Sequence, residues 1–141
     1  MNLIDTETRI LVERLVTEFS FLIDHGQAID VPALFTEDGS FESPIATLNG
    51  RKAIASAMAQ RMQADYMTRH VTSNLRLQRE SANQILGTVL LTMYRWTPGD
   101  LDAKPNPIAL LEYEDVYRLC IDSEWRFAAR KALPVLPAAK K

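Results

Sequence analysis

The chain is expected to fold as one α+β domain: a cone-like, curved antiparallel sheet with about three N-terminal helices packed on its concave face. Three observations predict this. Helical periodicity is confined to roughly the first 62 residues, period-two runs occupy most of 68–133, and short polar turns separate those runs. Helices followed by hairpin-connected strands give an antiparallel sheet with the helices gathered on one side. A long sheet twists and curls, which leaves a pocket between the two layers. At 141 residues the chain suits a single domain, with 5–133 as its core and 134–141 as a basic tail.

The first helix is predicted over about 6–23. Ile4, Leu11, Leu15, Phe19 and Leu22 recur at spacings of three, four and seven, Asp5 or Thr6 can cap the start, and Gly26 suits the left-handed stop. Asp24 then falls in the last turn, where the helix dipole disfavours a carboxylate by about 0.3–1 kcal/mol. Asp30, Val31 and Pro32 open a short second helix to about 35, and Glu37-Asp38-Gly39 ends it. A short strand at 40–42 stops at Pro44. Asn49-Gly50 turns the chain into a third helix, on which Ile54, Met58 and Met62 form a core stripe.

The strands follow. Along 68–77, simple alternation puts Val71, Leu75 and Leu77 on one face and His70, Thr72, Asn74 and Arg76 on the other. The polar run 79–84 reads as a hairpin connection, and 85–96 is apolar on both faces and therefore central. Residues 97–107, with Pro98, Gly99, Pro105 and Pro107, form a long loop, read as a lid or rim or as a plain hairpin end. Strands at 108–121 and 125–133 flank the turn Asp122-Ser123, and Pro134 and Pro137 are expected to end regular structure.

Composition narrows the function. Sixteen Lys and Arg balance 18 Asp and Glu, with the basic residues scattered singly, which argues against a nucleic-acid or membrane surface. The lone Cys120 forms neither an internal disulfide nor a metal cluster and reads as a small buried residue. No secretory signal is visible, so a cytoplasmic location is expected. There is no glycine-rich phosphate loop or nucleophile elbow, so no cofactor and no metal are expected.

The candidate chemistry rests on four residues. His70 is either a structural histidine satisfied by a carbonyl or a base oriented by a carboxylate; Asp24, set against its local preference, is the carboxylate. Asn74 either orients a polar group of a substrate or bonds a neighbouring strand. Arg130 either holds a substrate anion or carbonyl or pairs with Glu112, Glu114 or Asp115. His25 reads as a helix-end surface residue, and Trp96 and Trp125 as packing residues.

Several segments together resemble the SnoaL-like branch of the nuclear transport factor 2-like superfamily. They are Asp24; Leu34-Phe35-Thr36-Glu37-Asp38 with Phe41 and Pro44; Gly50-Arg51-Lys52-Ala53-Ile54; Arg69-His70-Val71-Thr72-Ser73-Asn74; Glu112-Tyr113-Glu114-Asp115-Val116-Tyr117; and Trp125-Arg126-Phe127-Ala128-Ala129-Arg130. The order and spacing of these segments carry the resemblance. It implies the cone-like fold. It also implies a small-molecule pocket in which Asp24 and His70 match the Asp-His base of scytalone dehydratase and a dehydrochlorinase, and hence a cofactor-independent lyase or isomerase. The same superfamily holds the noncatalytic small subunit of ring-hydroxylating dioxygenases, so a binding or subunit role is the alternative that the resemblance implies. Similar members pair sheet to sheet. Apolar residues on both strand faces, among them Val89, Leu90, Leu91 and Ile108, lead to the same expectation of a homodimer.

Overall fold

In the computed structural model, which describes residues 3–136, helix α1 (Thr6–Asp24) lies across the inner face of a six-stranded sheet. The strands are β1 (Phe35–Ser43), β2 (Ala46–Asn49), β3 (Met67–Ser81), β4 (Gln84–Trp96), β5 (Ala109–Leu119) and β6 (Trp125–Leu136), in the order β2-β1-β6-β5-β4-β3. A 3-10 helix (Ala28–Leu34) and α2 (Arg51–Met62) complete the three helical segments. No helix among the described residues is long and apolar enough to cross a membrane.

Asp5 caps α1 by accepting the Thr8 N–H at 3.0 Å. At the other end Gly26 takes φ +75°, and the Gln27 N–H closes on the Leu22 carbonyl at 2.8 Å. The buried stripe of α1 runs through Val12, Leu15, Val16, Phe19, Leu22 and Ile23. Phe19 is its centre, with ring centroids 5.8–6.2 Å from those of Phe35, Phe41, Tyr113 and Phe127. Met58 joins this core, but Met62, expected there too, is 43% exposed because α2 ends at that residue.

The sheet is mixed rather than wholly antiparallel, since β1 and β6 pair in parallel. The chain leaves the β1–β2 hairpin through α2, enters the sheet at the far edge, and reaches β1 again only after the β3–β6 meander. That meander delivers β6 in the same direction as β1, a contact no local turn announces.

Two bulges reset strand faces. In β3, Asn74 and Leu75 stand where β4 offers only Val89, and Asn74 adopts φ +59°. His70 and Thr72 therefore face inward on one side of the bulge and Leu75 and Leu77 on the other, while Val71 is outward and 51% exposed. In β6, Ala128 is the extra residue, so Phe127 and Arg130 both point into the core. β6 also continues to Leu136, past the expected stop at Pro134, because a second irregularity at Val135 accommodates the proline beside Leu111. β3 likewise extends through the expected connection to Ser81. Pro137 and the rest of the expected basic tail lie outside the described residues.

Candidate active site

The end of α1 meets the start of β3. The Asp24 carboxylate accepts the His70 Nδ1 hydrogen at 2.6 Å through Oδ1 and the His70 backbone N–H at 2.8 Å through Oδ2. The Thr68 hydroxyl adds a third hydrogen bond to Oδ1 at 2.8 Å and itself accepts from Arg61 at 3.0 Å. Arg69 donates to the Asp24 backbone carbonyl at 3.0 Å, which satisfies an end-of-helix acceptor. These bonds offset the dipole penalty on a carboxylate at a helix C-terminus.

Burial pushes the Asp24 carboxyl upward. The His70 ring and backbone hydrogen bonds, the histidine charge and Thr68 outweigh that effect and hold Asp24 below the ordinary carboxylate range. An ionised carboxylate only accepts, so Nδ1 of His70 carries the hydrogen, and in the neutral ring the lone pair is on Nε2. The side chains are 5% and 9% exposed for Asp24 and His70. A lone pair on a fixed, nearly buried imidazole has the chemistry to accept a proton.

Arg130 takes the ion-pair fate among the two it was expected to choose between. It is 1% exposed, and its Nε and Nη2 donate to the two carboxylate oxygens of Asp115 at 2.8 and 3.0 Å. The guanidinium carbon lies 3.6 Å from the Tyr113 ring centroid and 4.5 Å from those of Phe19 and Phe127. Burial opposes the charge on Arg130, but Asp115 and the neighbouring phenols raise its pKa regardless. Tyr117 donates to Asp115 at 2.6 Å, and Gly87 leaves room for its ring. Three buried side-chain atoms have no partner among the described residues: Arg130 Nη1, Ser20 Oγ one turn before Asp24, and Arg51 Nε at the start of α2.

Asn74 does not share His70's face. The bulge leaves it exposed beside Ser73 and Leu75, in a shallow depression with Arg9 and Glu13. His25 is the expected surface residue, its Nδ1 bonded to the Phe21 carbonyl and its ring stacked on Phe21 at 4.1 Å. Cys120 is half-buried rather than buried, at the β5–β6 turn. Among the described residues no three of His, Cys, Asp and Glu gather as metal ligands.

The reading of the chain missed Thr68 and Tyr113. Thr68 was legible as the residue two before His70, on the same strand face. Tyr113 alternates with Asp115 and Tyr117 along β5, and its phenol is pushed up to about 12 by burial, opposed by Arg130 and reinforced by Asp115 and Asp24. At any working pH it is therefore a neutral hydroxyl.

A curved mixed sheet wrapped on one long helix, with a buried Asp-His pair where that helix ends, defines a cone-shaped α+β domain built around an interior polar site. The chain belongs to the SnoaL-like domain family, whose model matches residues 5–131. No curated protein matches it by sequence. Similar solved structures include a provisionally named scytalone dehydratase from Novosphingobium aromaticivorans, 21% identical over 92% of this chain and 85% of that one, with a TM-score of 0.78. ActVI-ORFA from Streptomyces coelicolor is 20% identical over 92% of this chain and 98% of its own, at 0.79. LinA is 17% identical over 96% and 94%, at 0.72. At such identities these likenesses establish the fold.

Proposed function

We propose that the protein is a cofactor-independent lyase or isomerase that acts on a small, largely apolar molecule, with His70 as general base and Asp24 as its partner. The observation that carries this is the double hold of Asp24 on His70, through ring and backbone, which fixes one tautomer and one ring orientation. Nε2 takes a proton from a carbon beside a leaving group or a carbonyl. The C–H electron pair forms the new double bond, and the leaving group departs with its own pair or the carbonyl oxygen takes up the charge. Asp24 stabilises the imidazolium, which then returns the proton to the leaving group or to a second carbon. The family and a neighbour named for dehydration support this reaction class.

A second reading is favoured by one observation: Phe19, Tyr113, Phe127 and Arg130 fill the space beneath α1, and His70 is nearly closed off. On that reading the chain is a noncatalytic small-molecule binder or a subunit akin to the dioxygenase small subunit.

One experiment separates the two. Hydroxylated, halogenated and unsaturated carbonyl compounds are incubated with the protein in D₂O, and elimination or deuterium uptake at carbon is followed by NMR. The enzyme reading expects turnover that falls by about 10² to 10⁴-fold in His70→Ala and Asp24→Asn, with the double variant little worse than the poorer single one. Full turnover in His70→Ala overturns it, and saturable binding without turnover favours the second reading.

A further inference from the structure

Beside the Asp24–His70 pair the fold gathers cations that the sequence scatters. Arg61 on α2, Arg69 on β3 and Arg95 on β4 meet around Tyr66 and Trp96. The guanidinium carbons of Arg61 and Arg95 lie 4.7 and 5.0 Å from the Tyr66 centroid, and that of Arg69 lies 5.7 Å from Trp96. Arg69 is a wall shared by two clefts. One, of about 470 Å³, is bounded by Asp24, Arg61, Tyr66 and Arg69; the other, of about 420 Å³, is bounded by Arg69, Arg95, Trp96 and Lys104.

None of these four cations has a carboxylate within ion-pair distance among the described residues, whereas Arg9, Arg79, Arg118, Arg126 and Arg130 all do. The only carboxylate on either cleft wall is Asp24, and its oxygens are engaged by His70 and Thr68. Contact with aromatic rings restrains the guanidinium groups, which lowers the entropy lost when they close on an anion. Planar guanidinium groups match carboxylate and phosphate oxygens in pairs.

We propose that the two clefts form an anion-binding mouth, and that the molecule delivered to His70 carries a carboxylate or phosphate at the end remote from the reacting carbon. The link from the anion to the reacting carbon rests on the base reading of His70; the binding of the anion does not. Arg69 donates to the Asp24 carbonyl, and Arg61 is joined to His70 by a chain of three hydrogen bonds through Thr68 and Asp24, so an anion held there sits against the residues that position the base.

The test titrates benzoate and, separately, pyrophosphate into isotope-labelled full-length protein and follows the Trp96 indole and the arginine Nε–H signals by NMR. Saturable shifts at Trp96, Arg69 and Arg95, weakened about tenfold or more in Arg95→Gln and in Arg69→Gln, support the mouth. Circular dichroism confirms that the variants are folded. A preference for benzoate over pyrophosphate names a carboxylate, and the reverse a phosphate. Shifts spread over unrelated lysines and arginines, or an affinity in both variants unchanged from wild type, overturn the proposal. The same titration on His70→Ala separates the two ideas: anion binding that persists there upholds the mouth whether or not that variant retains turnover.

Discussion

At the scale of single residues, the ion pair of Arg130 with Asp115 and the pair of Asp24 with His70 make different demands. Arg130 is a charge with no route to water, so removing its partner strands it; Asp115→Ala is expected to cost about 3–5 kcal/mol in urea unfolding. Exchanging both members for apolar residues of similar volume, Arg130→Met with Asp115→Leu, is expected to cost less than either single truncation. Equal and additive losses would show the pair to be independent. Asp24 yields a pH signature instead. Its carboxyl is held below the ordinary value of 3.8, so the unfolded chain binds the extra proton as pH falls and stability rises with pH across that region. The stabilisation from Asp24 is present above pH 3.8 and is lost as pH falls through the lowered folded value. The stability gap between wild type and Asp24→Asn should thus close as pH falls below 3.8 in acid unfolding followed by circular dichroism.

At the scale of elements, the helices and the four long strands were legible from periodicity; β1 was expected only at 40–42 and β2 not at all, because Glu37-Asp38-Gly39 and Pro44 read as breaks, and face assignments failed at the two bulges. A period-two reading carries Val71 with Leu75, and Phe127 opposite Arg130; one inserted residue in each strand reverses the relation, and no side chain advertises the insertion in advance. Asn74 was the weak clue, as a residue that tolerates positive φ. Asp24 and His70 meet as expected because His70 precedes the β3 bulge, whereas Asn74, within it, is turned away from them. The cationic mouth escaped notice because its members stand far apart in the chain, on α2, β3, β4 and the loop after β4. Gly87 is the other legible signal, a glycine within a long strand. A Cβ there would lie 2.8 Å from Tyr117 Cε2 and 3.0 Å from Leu77 Cδ2. Gly87→Ala is expected to destabilise by about 1–3 kcal/mol, read as a lower urea midpoint with unchanged slope.

At the scale of the whole molecule, the helices cover only the inner face of the sheet. Leu86, Leu90, Leu110 and Val116 alternate with the buried residues of β4 and β5 and stay half-exposed on the other side. A second copy set against this face is the expected cover, and light scattering at micromolar concentration should give twice the 15.9 kDa chain mass. Glu114→Arg, outward on β5, tests whether that face is the contact, since a dimer that persists unchanged places the interface elsewhere. The β3 bulge bears on association of another kind. β3 is a boundary strand of the sheet, 15 residues long, whose outer backbone groups have no neighbouring strand among the described residues. A straight strand in that position is a template on which further chains can stack, and the kink at Asn74, with Arg76 and Arg79 beyond it, spoils the template. Deleting Asn74 would keep His70 and Leu75 on one face, now by plain alternation, but it would straighten the strand from Met67 to Arg79, and the shortened chain would be expected to nucleate fibrils, read as thioflavin binding absent from the wild type.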